Sequence, residues 1–384
     1  MSPSRSVAML APALLVGACI LDLDGLTGGP IGTGGSTGGH GDGGSTGGHG
    51  DGGSTGAHGD GGSETSCAPL DCTSCAAACA SAACAPTPLA TSKDADGPWA
   101  VAVMDGDVYW VNKLGGTVAR RTLGSAAPEV LTAVVAPVAI AAAGGSVVWA
   151  EQDGLWGCPA EACDANKKKI FGSVAPGSLQ GVALDGQFVY FTDRGDGQLT
   201  GKVVRCAIDG CAAPLEIVTG QVAPQAITLS GAFVFWTDAG NGEANGNVYR
   251  ASTTGQGVTQ ITGNLVSPSA VAADDMYVYF TRSSPDGRVF RCPHGAGYCD
   301  APEDLAHAAA PLAQPIDLAL VGGRIYWTER GDGALRSCPQ DGCGPDAPRV
   351  HASGRDGMRR LAIGSSCLFW VDDTGGGGVF EVPR

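Results

Sequence analysis

The chain has 384 residues, 62 of them glycine, and carries a formal net charge of −15 with an isoelectric point near 4.7. Proteins that bind nucleic acid depend on basic patches that neutralise phosphates, so this charge excludes nucleic acid from the expected partners. Hydrophobic residues make up 43% of the sequence, which is enough for a core, but the first 66 residues consist of an apolar segment and a glycine-rich tract. The folded part is therefore expected to follow residue 66.

Residues 1–19 have the features of a secretory signal. Arg5 precedes an apolar stretch of about ten residues, which is too short to span a bilayer as a permanent helix. Val16, Gly17, Ala18 and Cys19 resemble the lipobox of bacterial lipoproteins, which implies that Cys19 is lipidated. The alternative is an ordinary cleavable signal with an incidental cysteine. The resemblance predicts a protein anchored by lipid in the bacterial cell envelope, at the outer membrane or the cell surface.

Residues 20–66 are expected to form a disordered glycine-rich linker. Three near-identical nonapeptides of the form GGSTGGHGD begin at Gly34. They differ from the calcium-binding β-roll repeat, because serine stands where that repeat stacks a large apolar residue. A glycine-rich chain of this length reaches on the order of 35 Å, so we expect it to act as a tether.

After residue 92 the sequence repeats seven times. Each copy has an aromatic pair or its equivalent, and the copies lie 39 to 47 residues apart, the range of four-stranded β-propeller blades. The pairs are Tyr109–Trp110, Val148–Trp149, Tyr190–Phe191, Phe235–Trp236, Tyr279–Phe280, Tyr326–Trp327 and Phe369–Trp370. An anchor residue, proline in five copies, stands twelve residues before the second member of each pair, at Pro98, Pro137, Leu179, Pro224, Pro268, Pro315 and Met358.

Between anchors, each copy contains a strand of small apolar residues, the aromatic strand, a third strand often of the form G-x-V-x-R, and a weaker fourth strand. The aromatic run does not alternate apolar with polar residues, which indicates that both faces of its strand are buried between neighbouring blades. The sequence therefore predicts an all-β fold, a seven-bladed β-propeller of four-stranded antiparallel blades over residues 93–384. The tryptophans of the aromatic pairs are expected to be buried.

The runs VYFTD, VFWTD, VYFTR, IYWTE and LFWVD resemble the YWTD repeat of low-density lipoprotein receptor class B propellers. The resemblance covers residues 98–384. That family usually closes with six blades, whereas seven copies are present here. Its motif is structural, which implies that Asp193 and Asp238 are bonded within or between blades.

The seventh copy ends after its third strand and lacks a fourth. We predict that Ala85 to Ser92 pairs with Val379 to Val382 and closes the ring. Residues 67–92 would then combine a cysteine-rich segment with the closing strand.

Fourteen cysteines remain beyond Cys19, in a chain expected to be exported, where disulfides persist. Four pairs fall at the hairpins between third and fourth strands, and we predict disulfides for Cys158–Cys163, Cys206–Cys211, Cys292–Cys299 and Cys338–Cys343. The sequence does not determine the pairing of the other six, which are Cys67, Cys72, Cys75, Cys79, Cys84 and Cys367. One hypothesis joins Cys84 to Cys367.

The mouth of the central channel is the expected binding surface, so residues directly after the anchors are the candidates. Those selected for binding are Trp99, Gln180, Gln225, Ser269, Asp317, Arg359 and Arg360. Asp317 and Arg360 occupy equivalent positions of adjacent blades, and we expect them to form an ion pair. The aligned positions contain no histidine or cysteine and only one carboxylate, so no catalytic residue is predicted.

Acidic turns offer oxygen ligands for calcium, and the best candidate is Asp238 with Asn241 and Glu243. The same residue types also suit tight turns, so calcium stays open and no other cofactor is expected. The histidines of the folded region, His294, His307 and His351, are expected in turns or outer strands and exposed to solvent.

These observations favour a monomeric binding module for a protein or glycan ligand, held at a membrane by its lipid anchor. A secreted, metal-dependent hydrolase or lyase is the first alternative. A structural protein of the envelope is the second.

Overall fold

The computed structural model describes residues 86–172, 175–283, 286–306, 312–345, 347–374 and 377–384. The predicted signal, the predicted linker and the five cysteines from Cys67 to Cys84 lie outside the described residues, as does His307. Helix in the described part is limited to two short 3₁₀ segments, Ser92–Asp94 and Ala160–Ala162, and to α1 (Cys163–Asn166). No helix in these ranges is long and apolar enough to span a membrane.

Seven antiparallel sheets of four strands form seven blades, as predicted. In blades 1 to 4 the sheet order follows the chain from the channel outward. Blade 1 contains β2 (Pro98–Met104), β3 (Asp107–Asn112), β4 (Thr117–Thr122) and β5 (Glu129–Ala133). Blade 2 contains β6 (Ala139–Ala143), β7 (Ser146–Glu151), β8 (Gly154–Pro159) and β9 (Lys168–Gly172). Blade 3 contains β10 (Leu179–Leu184), β11 (Phe188–Asp193), β12 (Gly201–Ala207) and β13 (Leu215–Gln221). Blade 4 contains β14 (Pro224–Ser230), β15 (Phe233–Asp238), β16 (Gly246–Ser252) and β17 (Thr259–Leu265).

Blades 5 and 6 repeat this order, and blade 7 borrows its outer strand from the start of the propeller. Blade 5 contains β18 (Pro268–Ala273), β19 (Tyr277–Arg282), β20 (Arg288–Pro293) and β21 (Glu303–Asp304). Blade 6 contains β22 (Pro315–Val321), β23 (Arg324–Glu329), β24 (Ala334–Pro339) and β25 (Arg349–Ala352). Blade 7 contains β26 (Met358–Ile363), β27 (Cys367–Asp372), β28 (Gly378–Pro383) and β1 (Thr87–Thr91).

The ring closes through blade 7 in the way the sequence predicts. Strand β1 pairs antiparallel with β28, with Thr87 opposite Glu381 and Thr91 opposite Gly378. The first strands of consecutive blades contact one another around the channel, and β2 of blade 1 contacts β26 of blade 7. The first and last blades therefore meet directly, and β1 covers the edge that β28 would otherwise expose.

Hydrophobic clusters fill the interfaces between adjacent blades. Neighbouring residues of a strand point to opposite faces, so the two members of an aromatic pair pack against different blades. Tyr326 belongs to the cluster between blades 6 and 7, whereas Trp327 belongs to the cluster between blades 5 and 6. Because both faces of the second strand are buried, its sequence does not alternate apolar with polar residues. The tryptophans expected to be buried are fully shielded from solvent: Trp110, Trp149, Trp236, Trp327 and Trp370.

The four predicted hairpin disulfides are confirmed: Cys158–Cys163, Cys206–Cys211, Cys292–Cys299 and Cys338–Cys343. Cys367 is also disulfide-bonded. The other described cysteines pair with one another, so the partner of Cys367, for which Cys84 was one hypothesis, lies outside the described residues.

The prediction that the histidines are exposed is wrong for His294 and His351, which are 7% and 6% exposed. His294 packs edge-on against Phe235 of the neighbouring blade, with 5.0 Å between ring centroids. The imidazole Nε2 of His351 lies 2.9 Å from the hydroxyl of Ser337. Burial and the nearby arginines Arg349 and Arg324 lower the pKa of His351 to about 4, so this side chain is neutral at pH 7. The His294 imidazole thus fills space between blades 4 and 5, whereas the His351 imidazole packs within blade 6, against Tyr326.

Candidate functional site

The residues that follow the anchors lie at one end of the channel, where the first strands begin. Every anchor residue is buried, and every residue directly after an anchor is half-buried: Trp99, Val138, Gln180, Gln225, Ser269, Ile316 and Arg359. The change from a buried to a half-buried residue occurs at the same position in each blade, because all the first strands enter the channel in the same way. The structure therefore places the predicted candidates around one mouth, which we call the channel mouth.

Buried threonines of the YWTD-like motif fix the backbone of this mouth. The hydroxyl of Thr192 accepts a hydrogen bond from the Gly181 amide at 2.8 Å and donates one to the Gln225 carbonyl of the next blade at 2.6 Å. In blade 6, the Thr328 hydroxyl donates to the Arg359 carbonyl of blade 7, also at 2.6 Å. These bonds join consecutive blades at the residues that line the channel mouth.

The acidic residue of the motif is bonded to its own blade or to the connection that leads into that blade, in line with what the resemblance implies for Asp193 and Asp238. The Asp238 carboxylate accepts hydrogen bonds from the amides of Val222 at 3.0 Å, Ala223 at 2.8 Å and Gly240 at 3.1 Å. The Asp193 carboxylate accepts one from Gly195 at 3.0 Å. Each carboxylate thus ties the end of the second strand to an adjoining loop.

The candidate calcium residues take part in the same turn. The side-chain oxygen of Asn241 accepts a hydrogen bond from the Glu243 amide at 3.2 Å, and both oxygens of Asp238 accept backbone donors. Within the described ranges, no group of three or more His, Cys, Asp or Glu side chains is placed to hold a metal ion. Calcium at Asp238, Asn241 and Glu243 stays a prediction.

Blades 6, 7 and 1 gather charged side chains around Trp99. The guanidinium carbon of Arg359 and the ammonium nitrogen of Lys113 each lie 3.5 Å from the centroid of a Trp99 ring. Arg359 donates from Nε to the Asp373 carboxylate, and an Nη2 of Arg330 lies 3.6 Å from the same carboxylate. Burial lowers the pKa of Arg359, and the charges of Arg330 and Arg360 lower it further, against the opposing effect of Asp373.

The predicted ion pair between Asp317 and Arg360 is present. Arg360 Nη1 lies 3.4 Å from Asp317 Oδ1, and the Leu361 amide donates to Asp317 Oδ2 at 2.8 Å. Burial nevertheless raises the pKa of Asp317, because the stabilisation that Arg360 and the amide give its charged form does not offset the loss of water. The pair extends the charged sector inward along blades 6 and 7.

The other predicted residues lie in blades 3, 4 and 5, apart from this sector. The Gln180 amide donates to the Gly177 and Ser178 carbonyls at 3.3 and 3.4 Å. The Ser269 hydroxyl lies 2.8 Å from the Thr281 hydroxyl. The structure thus brings together Trp99, Asp317, Arg359 and Arg360, but not Gln180 or Gln225. Ser269 reaches blade 6 only through a hydrogen bond from its hydroxyl to the Pro315 carbonyl at 3.2 Å.

Sequence reasoning missed Lys113, Arg330 and Asp373. Each directly follows the second strand of its blade, and its amide bonds to the carbonyl just before the anchor: Lys113 to Gly97 at 2.9 Å, Arg330 to Gln314 at 3.1 Å and Asp373 to Gly357 at 3.0 Å. The signal was available, because all three stand three residues after the second member of the aromatic pair. Aligning the residues at that position across all seven copies would have identified them.

No family model matches the chain. No curated protein matches it either. Among solved structures, hydrazine synthase of Kuenenia stuttgartiensis is 13% identical with a TM-score of 0.62, covering 76% of this chain and 96% of that one. The WD40 repeats of RRP9 are 13% identical with a TM-score of 0.61, covering 78% and 97%. A nidogen/laminin complex is 19% identical with a TM-score of 0.47, covering 59% and 84%. The first two likenesses show the fold alone, a β-propeller.

Proposed function

We propose that this protein is a binding module that takes a protein or glycan ligand at the channel mouth. The observation that carries the proposal is the sector around Trp99, where arginine and lysine side chains gather in a protein with a net charge of −15. Aromatic and arginine side chains are enriched where proteins bind their partners. The two carboxylates of the sector, Asp317 and Asp373, are each paired with an arginine. That pairing favours recognition over the alternative of a hydrolase or lyase.

A steric block of the channel mouth tests this proposal. Ile316 is half-buried at the mouth, and Ile316→Trp would narrow it without removing a charge. Arrays of peptides and glycans are probed with the full chain, its Ile316→Trp variant and a Met276→Trp control. Met276 is 66% exposed on the turn between β18 and β19, at the opposite end of the channel.

We expect the wild-type chain and the Met276→Trp control to bind the same ligands, and Ile316→Trp to lose them. Equal binding by all three proteins would move the site away from the mouth. Binding by none would reject the module itself.

We further propose that Cys19 carries a lipid anchor that holds the protein in a bacterial envelope, with residues 20–66 as the tether. The support is the lipobox-like sequence up to Cys19. Cell fractionation should find the wild-type chain with membranes and a Cys19→Ser variant in the soluble fraction. An unchanged distribution would contradict the anchor.

The finer assignment to the YWTD class also remains a proposal. It rests on the motif and on its threonines, of which Thr192 and Thr328 bridge neighbouring blades. If these bridges are integral to the repeat, Thr192→Val and Thr328→Val should each lower the free energy of unfolding by about 1 kcal/mol or more. Wild-type stability in both variants would remove this support.

A further inference from the structure

The sector around Trp99 carries more positive than negative charge. Four cations surround two carboxylates: Lys113, Arg330, Arg359 and Arg360 against Asp317 and Asp373. Arg359 and Arg360 each pair with a carboxylate, whereas Lys113 and Arg330 are only weakly matched. The sector therefore has two positive charges without a full partner.

The hydrogen-bond donors of Lys113 and Arg330 are largely unused. Among the described residues, the Lys113 ammonium contacts the Trp99 ring but has no hydrogen bond or ion pair. The side chain of Arg330 is 40% exposed, and its distance of 3.6 Å to Asp373 is too long for a hydrogen bond. An ammonium offers three N–H donors and a guanidinium five, so the sector can still bind several oxygen atoms.

The cations also destabilise one another, because they are held close together in a partly desolvated place. Burial lowers the pKa of Lys113, and the charge of Arg359 lowers it further, against the effect of Asp373. A bound anion would relieve this repulsion and would accept the unused donors. The remote acidic groups of the protein oppose an anion only weakly, since charges beyond about 8 Å are screened at physiological salt.

The aromatic ring is not free for a sugar. Carbohydrates stack on open aromatic faces, but Lys113 and Arg359 lie against Trp99. Beside Lys113, Leu114 is 76% exposed, and it contacts the position where a Cβ on Gly97 would stand. An exposed leucine next to cations suits a polypeptide with apolar and acidic side chains.

We propose that the sector formed by blades 6, 7 and 1 at the channel mouth binds the carboxylates of an acidic peptide segment. This inference rests on the proposed binding function and specifies the chemistry of its ligand. Arg330 and Lys113 supply the donors, and Leu114 contacts an apolar side chain of the segment. Arg359 and Arg360, fixed by Asp373 and Asp317, provide the positive surroundings.

The probe is a short fluorescent peptide of alternating glutamate and glycine, titrated against the full chain by fluorescence anisotropy. The test variants are Arg330→Gln and Lys113→Gln. The control is Lys168→Gln, which removes the same charge from a side chain that is 41% exposed on β9. We expect each test variant to weaken binding about tenfold, as for a charge-assisted hydrogen bond, and the control to change nothing. A peptide with glutamine in place of glutamate should not bind.

Several results would overturn the inference. An equal loss in the Lys168→Gln control would show unspecific attraction, and tighter binding of an oligogalacturonate than of the glutamate peptide would assign the sector to an acidic glycan. A different outcome is that the arrays give a neutral ligand whose binding is lost in Ile316→Trp, while the glutamate peptide does not bind. In that case the acidic-peptide proposal is wrong, but the proposed binding module stands. If the arrays also give nothing, the binding module fails with it.

Discussion

Replacing Trp327 by alanine is expected to lower the free energy of unfolding by about 3 to 5 kcal/mol, the range for removing a large aromatic side chain from a packed core. Trp327 is fully buried in the cluster between blades 5 and 6, with Tyr279, Leu305 and Leu318 among its neighbours. Alanine would leave a cavity at the centre of that interface. Because both blades line the cavity, the loss should affect the ring and not one strand alone.

The indole of Trp327 also has a polar partner. Its Nε1 donates a hydrogen bond to Glu329 at 2.8 Å, and the Glu329 carboxylate accepts a second from the Ala313 amide at 2.8 Å. Trp327→Phe keeps most of the packing but removes this donor, so its free energy of unfolding should lie between those of wild type and Trp327→Ala. Trp156, half-buried on β8, is the matched control, and Trp156→Ala should cost about 1 kcal/mol. Urea denaturation measures all three, and equal losses at Trp327 and Trp156 would contradict this packing.

Replacing Leu89 of the closing strand by alanine is expected to lower the free energy of unfolding by about 2 to 4 kcal/mol. Leu89 of β1 is buried in the cluster between blades 7 and 1, together with Val101, Trp110 and Phe369. Its carbonyl also accepts a hydrogen bond from Arg121 of blade 1. Leu89→Ala would weaken the contact that holds β1 both to β28 and to blade 1.

Leu89→Ala should also loosen the strand pairing between β1 and β28, in addition to lowering the stability of the whole propeller. Hydrogen exchange at the amides of β28 should accelerate in Leu89→Ala, because β1 would detach more often and expose that edge. Thr91→Ala is the control, since Thr91 lies in the same strand but is exposed. Unchanged exchange in β28 would mean that β1 does not close the ring.

Much of the fold could be predicted because a propeller repeats its constraints. Trp236 and Trp370 stand twelve residues after their anchors, since each blade must bury the same strand between the same neighbours. The position of β1 followed from the missing fourth strand of blade 7. The hairpin disulfides followed from the short spacing of each cysteine pair and its place between the third and fourth strands of a blade.

The site was predicted less completely, because it depends on how blades meet. Asp317 and Arg360 were paired correctly, since they occupy equivalent positions of adjacent blades. Lys113 and Arg330 were missed because only the starts of the first strands were aligned. The antiparallel pairing of first and second strands places the ends of the second strands at the same mouth. The burial of His294 depends on Phe235 from another blade, which no local pattern of the sequence reveals.

The most direct test of binding at the channel mouth is to map which amides a bound ligand protects from hydrogen exchange. Binding of the tightest ligand from the arrays to the full chain should slow exchange at residues 97–100, 113–116 and 357–361, which border the channel mouth, relative to the free chain. Exchange in the turn at residues 274–277, at the other end of the channel, should not change. Protection confined to that turn or to the outer strands would contradict binding at the channel mouth.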